Sequence, residues 1–496
     1  MKNIIHISLI ILSTISYAEE NKQIEIINAN KTYANQIKHP DFWRLIGDVC
    51  FKHNNTYMYC DSAYHYINKN KIIAFNNIKI NQADSLKLNG DKLNYNGQNN
   101  KAEIIGNVVI IDKHMKLETN KVIYNLLTDI ASYPEKGKIT DKEKIINSKK
   151  GSYNSKLNIF TFKDSVIVLG KEYKIHTNNM NYNAKTEVTS FYGPSYILSE
   201  KNTIYCENGW YNTITNISQF NQNSSIYNED YILMGDSLYY NKDLGYGKAL
   251  RNVKLTDTIK KINIYGELGE YFENKEEIEI KNKPWLELYN NKDTLYMHAK
   301  KFISSQLNNK TYILAYNKVK FFKRDLQGKC DSLIYLHSDS IIKMIKKPVL
   351  WSENMQITAD SLEMKVYNGI VEKLFLSHKP LVIEKVDSLD FNQIKGKRMI
   401  GFLKNNKITH FDIDGNGQTI FIVKNEKDEK IGLNYIESSN LSMYFKKNKL
   451  TNLTYHLLPI SNTTPYIQIE ENKKYLDDFI WRESEKPMNK KEIFNE

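Results

Sequence analysis

The sequence predicts an all-β protein, an elongated stack of antiparallel strands built from repeats of about 29 residues. The main observation is a tyrosine that recurs at a fixed interval over more than half of the chain. The interval is 29 residues within the series Tyr95, Tyr124, Tyr153, Tyr182, Tyr211 and Tyr240, and Tyr271 and Tyr335 continue it at slightly longer spacing. Such a period is typical of stacked repeats, in which each unit needs its neighbours to bury its apolar face.

Composition gives a second observation. The chain has 34 Tyr and 19 Phe but only 9 Pro among 496 residues. Disordered chains are poor in aromatic residues, whereas aromatic and β-branched residues favour strands. The formal net charge is +12, but the lysines are spread evenly along the chain. Without a basic motif, this charge does not indicate a nucleic-acid partner.

Columns of similar residues around each tyrosine give the third observation. The residue five positions before the tyrosine is small, as in Gly90 and Thr119. The residue that follows this small residue, four positions before the tyrosine, is usually polar. The residue two positions before the tyrosine is mostly apolar, and it shares one face of a strand with the tyrosine. Turn signals such as Asn96-Gly97 separate these strands. Because no crossover helix is available, we predict an antiparallel meander.

The chain is predicted to divide into five segments. Residues 1–18 are interpreted as a secretory signal peptide, with Lys2, a mostly apolar run and a small–x–small cleavage site; an uncleaved anchor is the alternative. Residues 19–43 are expected to be a linker, 44–370 a region of regular β-repeats, 371–460 degenerate β-repeats, and 461–496 a charged C-terminal tail. No later segment approaches about 20 consecutive apolar residues, so an exported, soluble product is expected.

The recurring polar residues do not indicate catalysis. Asp-Ser occurs eight times, and no Gly-x-Ser-x-Gly motif surrounds any copy, so the protein is predicted not to be an enzyme. A cation-binding ladder of carboxylates is disfavoured because the polar column that contains Asp91 also contains Lys149. The 11 His are scattered without the spacing of a zinc site, so neither metal nor cofactor is expected.

The four cysteines do not suggest a disulfide framework. Cys60, Cys206 and Cys330 occupy the small column, where we expect them to act as small buried residues. A hairpin turn centred on Asn54-Asn55 places Cys50 opposite Tyr59, although an exported protein has the opportunity to oxidise Cys50 and Cys60. A disulfide between these two cysteines is therefore left open.

Several motifs taken together resemble a known family. They are Gly47-Asp48-Val49, Cys60-Asp61-Ser62-Ala63, Gly90-Asp91-Lys92-Leu93-Asn94-Tyr95 and Gly106-Asn107-Val108, with Asn392 to Lys397, Gly415 to Ile420 and Phe479 to Arg482 farther along. They resemble the OstA-like and LptA-like periplasmic proteins of lipopolysaccharide transport, in a long OstA-like variant. The resemblance covers roughly residues 44–482.

The resemblance implies a β-jelly-roll with a V-shaped apolar trough. It also implies a periplasmic carrier or bridge that takes lipopolysaccharide to the outer membrane. Association of the protein with that membrane is part of this expectation. The implied partners are lipopolysaccharide or lipid A, and other transport components or further copies bound by edge-strand addition. The candidate lipid-binding residues are the apolar positions of the two strands of each repeat: Leu93, Val122, Met180, Leu238, Leu333, Val108, Val166 and Val253.

Other interpretations remain open at this point. The same positions suit a closed core with no ligand, which would make the protein a non-catalytic exported scaffold for cell-envelope assembly. An outer-membrane β-barrel is disfavoured because no aromatic girdles bracket the apolar faces. A polysaccharide-cleaving β-helix is the enzymatic alternative.

Overall fold

A computed structural model describes residues 23–35, 37–82, 86–112, 115–141, 144–200, 202–229, 231–259, 261–289, 293–307, 310–367, 370–404, 407–446, 449–457 and 459–495. The predicted signal peptide lies outside the described residues. The chain divides into two compact units, one ending at Gly193 and the other beginning at Pro194.

The first unit consists of strands with few other elements. Its strands are β1 Glu25–Asn28, β2 Lys31–Tyr33, β3 Trp43–His53, β4 Thr56–Tyr66, β5 Lys71–Gln82, β6 Leu86–Asn96, β7 Lys101–Asp112, β8 Met115–Asn125, β9 Ile130–Tyr133, β10 Gly137–Asp141, β11 Lys144–Ser148, β12 Lys150–Asn154, β13 Ile159–Leu169 and β14 Tyr173–Asn183. A 3-10 turn, Ile67–Lys69, joins β4 to β5. Strand β15, Val188–Ser199, contains the division between the units.

The second unit continues with strands of the same kind. They are β16 Thr203–Asn212, β17 Ile217–Tyr227, β18 Tyr231–Asn241, β19 Tyr246–Asp257, β20 Ile262–Phe272, β21 Glu277–Lys281, β22 Trp285–Tyr289, β23 Thr294–His298, β24 Lys301–Leu307, β25 Lys310–Lys323, β26 Leu326–Leu336, β27 Ile341–Ile345, β28 Val349–Ser352, β29 Met355–Thr358, β30 Ser361–Tyr367, β31 Ile370–Ser377, β32 Leu381–Lys385, β33 Phe391–Lys395, β34 Arg398–Lys404, β35 Lys407–Lys424, β36 Lys430–Lys446, β37 Lys449–Tyr455 and β38 Ile460–Pro465. Its 3-10 turns are Glu273–Lys275, Tyr466–Gln468, Glu471–Lys473, Glu483–Glu485 and Lys490–Phe494.

Within each unit the long strands pair antiparallel with their neighbours in chain order, as β5 does with β6 and β18 with β19. The predicted all-β class and antiparallel meander are therefore confirmed. The strands are longer than the sequence suggests, since many span 11 or 12 residues. Across the described part of the chain, no helix has the length and apolar character needed to cross a membrane.

A crease interrupts most long strands near their middle. We use this word for consecutive residues with positive φ at which the pairing register shifts, such as Asn76 and Asn77 (φ 60° and 50°) in β5. Similar creases lie at Gly47–Asp48, Gly106–Asn107 and Asp164–Ser165 in the first unit, and at Gln222–Asn223, Arg251–Asn252, Asn317–Lys318 and Gly415–Asn416 in the second. Two such residues in succession form a β-bulge that bends the strand sharply.

Hydrogen bonds between side chains hold the crease of one strand to its neighbour. The Asn107 amide donates to the Asp91 carboxylate, Oδ2, at 2.8 Å, and Asn77 donates to Asp61 at 2.9 Å. The equivalent pairs in the second unit are Asn223 with Glu207 at 3.0 Å and Asn252 with Asp236 at 3.1 Å. Partners in each pair are 16 residues apart. The acidic member of each pair belongs to the polar column of the repeat, the residue after the small one. We call this pair the crease clip.

The recurring tyrosine is explained by the hairpin turn that follows it. The Tyr124 hydroxyl donates to Asp129 at 3.2 Å and the Tyr211 hydroxyl donates to Asn216 at 3.4 Å, five residues on in each case. The acceptor residue has positive φ, 55° in Asp129 and 53° in Asn216. Its backbone carbonyl also accepts from the next turn, as in Ser155 N–H to Asp129 at 3.1 Å. The hydroxyls of Tyr95 and Tyr153 make the same five-residue contact, whereas Tyr240 donates to Glu273 instead. Most of the recurring tyrosines therefore fix the turn that follows, and the turns are bonded to one another.

Parts of the predicted linker and tail belong to the sheets. Strands β1 and β2 lie within residues 19–43, and both pair with β3. Strand β38 lies largely within the predicted tail, and it pairs with β36. Short and mostly exposed strands of this kind lack the alternation that a sequence pattern needs. The boundaries of the five predicted segments otherwise stay predictions.

The last thirty described residues form a C-terminal strap, defined here as residues 466–495, across strands of the second unit. Two fully buried amides hold its backbone. Gln356 donates to the Ile480 carbonyl and accepts from the Arg482 N–H, both at 2.7 Å. Gln393 does the same with Lys474 and Leu476, both at 2.8 Å. Two glutamine side chains therefore satisfy main-chain carbonyl and N–H groups of the strap.

Apolar and charged contacts also hold the strap against the sheet. Leu476 packs in a buried cluster with Leu381, Ile383, Ile420 and Leu433. Ion pairs join Lys395 to Asp478 at 3.0 Å and Lys385 to Glu483 at 2.7 Å, and the Lys490 ammonium lies 4.1 Å from the ring centroid of Trp285. A segment that looks like a charged tail in the sequence thus covers an apolar sheet face.

We expect Asn107→Val to lower the free energy of unfolding by about 2 kcal/mol, since a β-branched residue is strained at φ 43°. Asn107→Gly keeps that backbone conformation and loses only the bond to Asp91, at a cost of about 1 kcal/mol or less. Urea unfolding followed by circular dichroism measures both values. Equal losses in the two variants would contradict a role for the backbone conformation.

We expect Gln356→Ala to release the strap, because the Ile480 carbonyl and the Arg482 N–H then lose a buried partner, at about 1–3 kcal/mol. Amide hydrogen exchange within residues 466–495 should rise at least tenfold. Gln327→Ala is the matched control, since this buried amide bonds to the nearby Lys323 and Arg324 carbonyls instead. Faster strap exchange in both variants would indicate a general loss of stability.

Candidate functional site: the apolar interior and its rim

An apolar row crosses the first unit on one side of the creases. It consists of two runs of directly opposed residues on successive strands: Leu45, Ala63, Ala74, Leu93, Ile104 and Val122, and then Tyr133, Gly151, Phe162 and Met180. Between the runs, the pairing of β8 with β9 begins at Ile123 and Ser132, next to Val122 and Tyr133. The row contains Leu93, Val122 and Met180, three of the predicted lipid-binding residues. The structure therefore brings them onto one face, as the spacing from the tyrosine implies.

A second apolar row crosses the same unit on the other side of the creases. It runs through Phe51, Met58, Ile80, Leu88, Ile110, Leu117, Ile139, Ile146, Val168 and Ile175, each opposite the next. Val108 and Val166 lie beside the creases, between the two rows. The sequence predicts strands here, but these positions were not expected to form part of a site.

The second unit carries a corresponding row. It passes through Phe220, Leu238, Ala249, Gly269, Ile280, Phe302, Ala315, Leu333, Met344, Leu362, Leu376, Met399, Ile413 and Leu441. Leu238 and Leu333 therefore belong to one row, and Val253 lies directly after the crease at Arg251–Asn252.

All eight predicted residues are buried, with side chains between 0% and 4% exposed. The apolar recess at Ile110, Met115 and Phe160 has a volume of only ≈10 Å³, too little for an acyl chain. The interior of the described residues is thus filled at these positions by the protein's own side chains. A ligand reaches them only if the two rows of a unit separate.

Three hydrogen bonds join opposite ends of strands in the first unit, and we call them the rim. They link Tyr95 to His53, Tyr153 to Asp112, and Tyr182 to Asp141, the last at 3.4 Å. In each pair the partner is the final residue of a strand and the tyrosine is near the far end of a later one. An 11-residue strand is about 36 Å long, so these ends meet only because the strands fold back at their creases. The two apolar rows therefore face each other.

The rim tyrosines are held in their neutral form. Burial raises the pKa of Tyr95, Tyr153 and Tyr182 well above the ordinary value of about 10, and the neighbouring carboxylates add to the shift at Tyr153 and Tyr182. Burial likewise raises the pKa of Tyr133 to about 12. A neutral hydroxyl can donate to Asp112 and Asp141, which an ionised tyrosine cannot do.

Two features of the site were not predicted from the sequence. From Tyr95 to Tyr240 each recurring tyrosine is followed by an asparagine, and asparagines such as Asn125 and Asn212 accept from backbone N–H groups of the turn. The partners of the rim bonds lie 41 or 42 residues before their tyrosines and vary between His and Asp. The repeated Tyr-Asn pair was a visible signal for the turn, whereas no local pattern marks the rim partners.

The cysteines behave as small buried residues, as predicted for Cys60, Cys206 and Cys330. Cys50 lies opposite Tyr59, which confirms the predicted register of that hairpin, and all four thiols are free. Within the described part of the chain, no group of three or more His, Cys, Asp or Glu side chains has the arrangement of a metal site.

Comparison with known families finds a similarity over part of the chain. The family model described as "OstA-like protein" matches residues 21–178 and 171–236. Residues 21–236, less than half of the chain, are therefore similar to this family. The match confirms the resemblance for the motifs up to residue 236, and it covers the repeats that form the rim and both apolar rows of the first unit; for the motifs after residue 390 the resemblance stays a prediction. No curated protein matches the chain.

A solved structure that matches is LptH of Pseudomonas aeruginosa, described as the LptA homologous periplasmic component of the conserved lipopolysaccharide transport device. The two chains share 13% identity with a TM-score of 0.21, over 22% of this chain and 81% of LptH.

We expect the protein to lose stability as the pH rises through about 10 to 12. The folded state keeps the rim tyrosines and Tyr133 protonated, whereas the unfolded chain releases these protons above about 10, so alkali favours unfolding. Circular dichroism and tyrosinate absorbance across this range report unfolding and ionisation together. Tyr153→Phe should make the pH dependence less steep than the exposed control Tyr227→Phe. Ionisation of all tyrosines near pH 10 before unfolding would contradict the assignment.

Proposed function

We propose that the protein is a periplasmic lipopolysaccharide-binding carrier or bridge for transport to the outer membrane. In this role the acyl chains lie between the two apolar rows of a unit, in contact with residues such as Leu93 and Val122. The apolar row within the repeats that match the OstA-like family is the observation that supports the proposal most directly.

Entry of a lipid requires the rim to open. Each rim bond stabilises the closed form by roughly 1–3 kcal/mol, depending on whether a carboxylate takes part. Ten methylene groups transferred from water to an apolar environment contribute about 8 kcal/mol at about 0.8 kcal/mol each. Acyl chains would also replace the contacts that the two rows lose with each other. The free energy of lipid burial is therefore sufficient to offset the opening of a few rim bonds.

The polar surroundings of the interior suit an amphipathic ligand. The rim carries hydroxyl, carboxylate and imidazole groups at Tyr153, Asp112 and His53, while both rows beneath it are apolar. Sugar and phosphate groups of a lipopolysaccharide would remain outside the rim with water. Partners that add a strand are part of the proposal. Strands β37 and β38 each pair with β36 along one edge, and a strand at the end of a sheet can pair with another chain along its other edge.

A second candidate function follows from the burial of the predicted site. Side chains that are at most 4% exposed support a closed core and thus an exported, non-catalytic β-repeat scaffold for cell-envelope assembly. The two candidates differ in whether lipid ever contacts the interior. A photocrosslinking experiment separates them.

We expect a photoreactive residue in place of Val122 to crosslink to lipopolysaccharide in intact cells. Ile123 is the matched control, because it lies on the opposite face of the same strand and is 39% exposed, whereas Val122 is buried. Gel mobility and lipid-A immunoblotting detect the adduct. The same test applies to Leu93, Met180, Leu238 and Leu333.

Each pattern of adducts has a distinct meaning. Adducts from Val122 but not from Ile123 support interior binding. Adducts from both positions, or from Ile123 alone, indicate adsorption to the outer surface and contradict the trough. No adducts from any of the five interior positions, in a protein that folds normally, would favour the scaffold.

A further inference from the structure

We infer that the first unit carries a binding site for a phosphate group at the creases near Lys136 and Lys149, on the outside of the apolar interior. The site is an open cavity of ≈290 Å³. Lys136, Lys138 and Lys149 line it together with Asn147, Ser148 and Ser165. This volume is close to the lower end of typical small-ligand sites, about 300 Å³, and is ample for one phosphorylated headgroup.

The cavity lies where the crease clip is missing. In four other repeats a carboxylate of the polar column bonds to an asparagine 16 residues later, as Asp91 does to Asn107. At the cavity the same pairs of positions hold Asn120 with Lys136, which has positive φ (23°) without a second such residue beside it, and Lys149 with Ser165 of the crease at Asp164–Ser165. The acidic member is replaced, and lysine takes a place in each pair. The column is acidic at Asp91, Glu207 and Asp236, neutral at Asn178 and basic again at Lys300, so the site is one of the points at which the charge of the column changes.

None of the three ammonium groups forms a close ion pair within the described residues, although Lys138 lies directly opposite Glu118 in the sheet and attracts its carboxylate. The closest partners of the nearby acidic groups are other lysines. Glu118, which also lines the cavity, pairs with Lys116 at 2.5 Å, and Asp164 pairs with Lys150 at 3.1 Å. Three cations that share one cavity repel each other, so an anion between them gains a favourable interaction with each. A phosphate group carries enough charge and enough acceptor oxygens to satisfy several lysines at once.

Neutral donors complete the site. The Asn147 amide and the Ser165 hydroxyl line the cavity, and both can donate to a phosphate oxygen. Ser148 is less available, because its hydroxyl contacts the Tyr133 hydroxyl at 2.6 Å and the Lys150 carbonyl at 3.0 Å. Three lysines and the uncharged donors thus outnumber the single carboxylate, Glu118, in the lining of the cavity, and they recognise phosphate chemistry whether it belongs to a lipid or to a free ion.

This inference deepens the proposed function, since a lipid with buried acyl chains and a phosphorylated headgroup would contact both the interior and the crease. It does not depend on the interior being occupied. Full-length protein that binds phosphate while Val122 forms no lipid adduct would leave the site in place and remove the carrier role.

Cosedimentation of the full chain with vesicles of phosphatidylcholine, with and without phosphatidic acid, tests the site. Lys149→Gln should weaken binding to the phosphatidic-acid vesicles about fivefold at low salt, the value expected for one lysine at an anionic surface, and Lys149→Glu should weaken it further. Lys79→Gln removes the same charge from an exposed position of β5 outside the cavity and should have little effect.

Calorimetric titration with inorganic phosphate distinguishes the two sources of the ligand. Phosphate that binds the wild type but not Lys149→Glu indicates a site for the free ion, and vesicle binding alone indicates a lipid headgroup. Either result supports the inference. Equal losses for Lys149→Gln and Lys79→Gln, or no binding to either probe, would overturn it.

Discussion

The crease is the constraint on which the rest of the structure depends. Consecutive residues with positive φ, such as Asn76 and Asn77, bend a strand that would otherwise extend for about 36 Å. Only this bend lets one strand contribute a side chain to each of two facing apolar rows. The rim bonds, the burial of both rows and the crease clips all follow from it. A flat meander of the same strands would leave one apolar face exposed to water.

The cost of the left-handed backbone explains the residue types at the creases. Asparagine, aspartate and glycine tolerate positive φ better than other residues, and they fill most of these positions in the first unit. Asparagine adds a second contribution, since its side chain donates to the acid on the neighbouring strand. Because creases must align between neighbours, the distance between them is fixed along the chain. The tyrosine period of 29 residues and the spacing of the creases are thus two expressions of one geometric requirement.

The sequence predicted the class, the antiparallel order and the shared face of the apolar residues because each depends on local periodicity. Leu93 and Val122 were found from their position two residues before a tyrosine, and the structure places both in one row. The second row, through Leu88 and Ile110, was missed, since it lies beyond the crease, where the alternation changes phase. The rim and the strap depend on contacts between residues such as Asp112 and Tyr153, or Gln393 and Leu476, that are far apart in sequence. No local pattern reports such contacts.

The lysines at the incomplete creases show how a repeat can acquire a local chemical difference without losing its fold. Crease clips are exposed, and exposed hydrogen bonds contribute little to stability, so one repeat can exchange its acid for a lysine at small cost. The bend itself is kept by the backbone, as the positive φ of Asp164 and Ser165 shows. The polar column is therefore free to vary while the apolar rows are not. A stack that needs different chemistry at different points along its length has this column available for it, and Lys149 is the position at which that variation coincides with an open cavity.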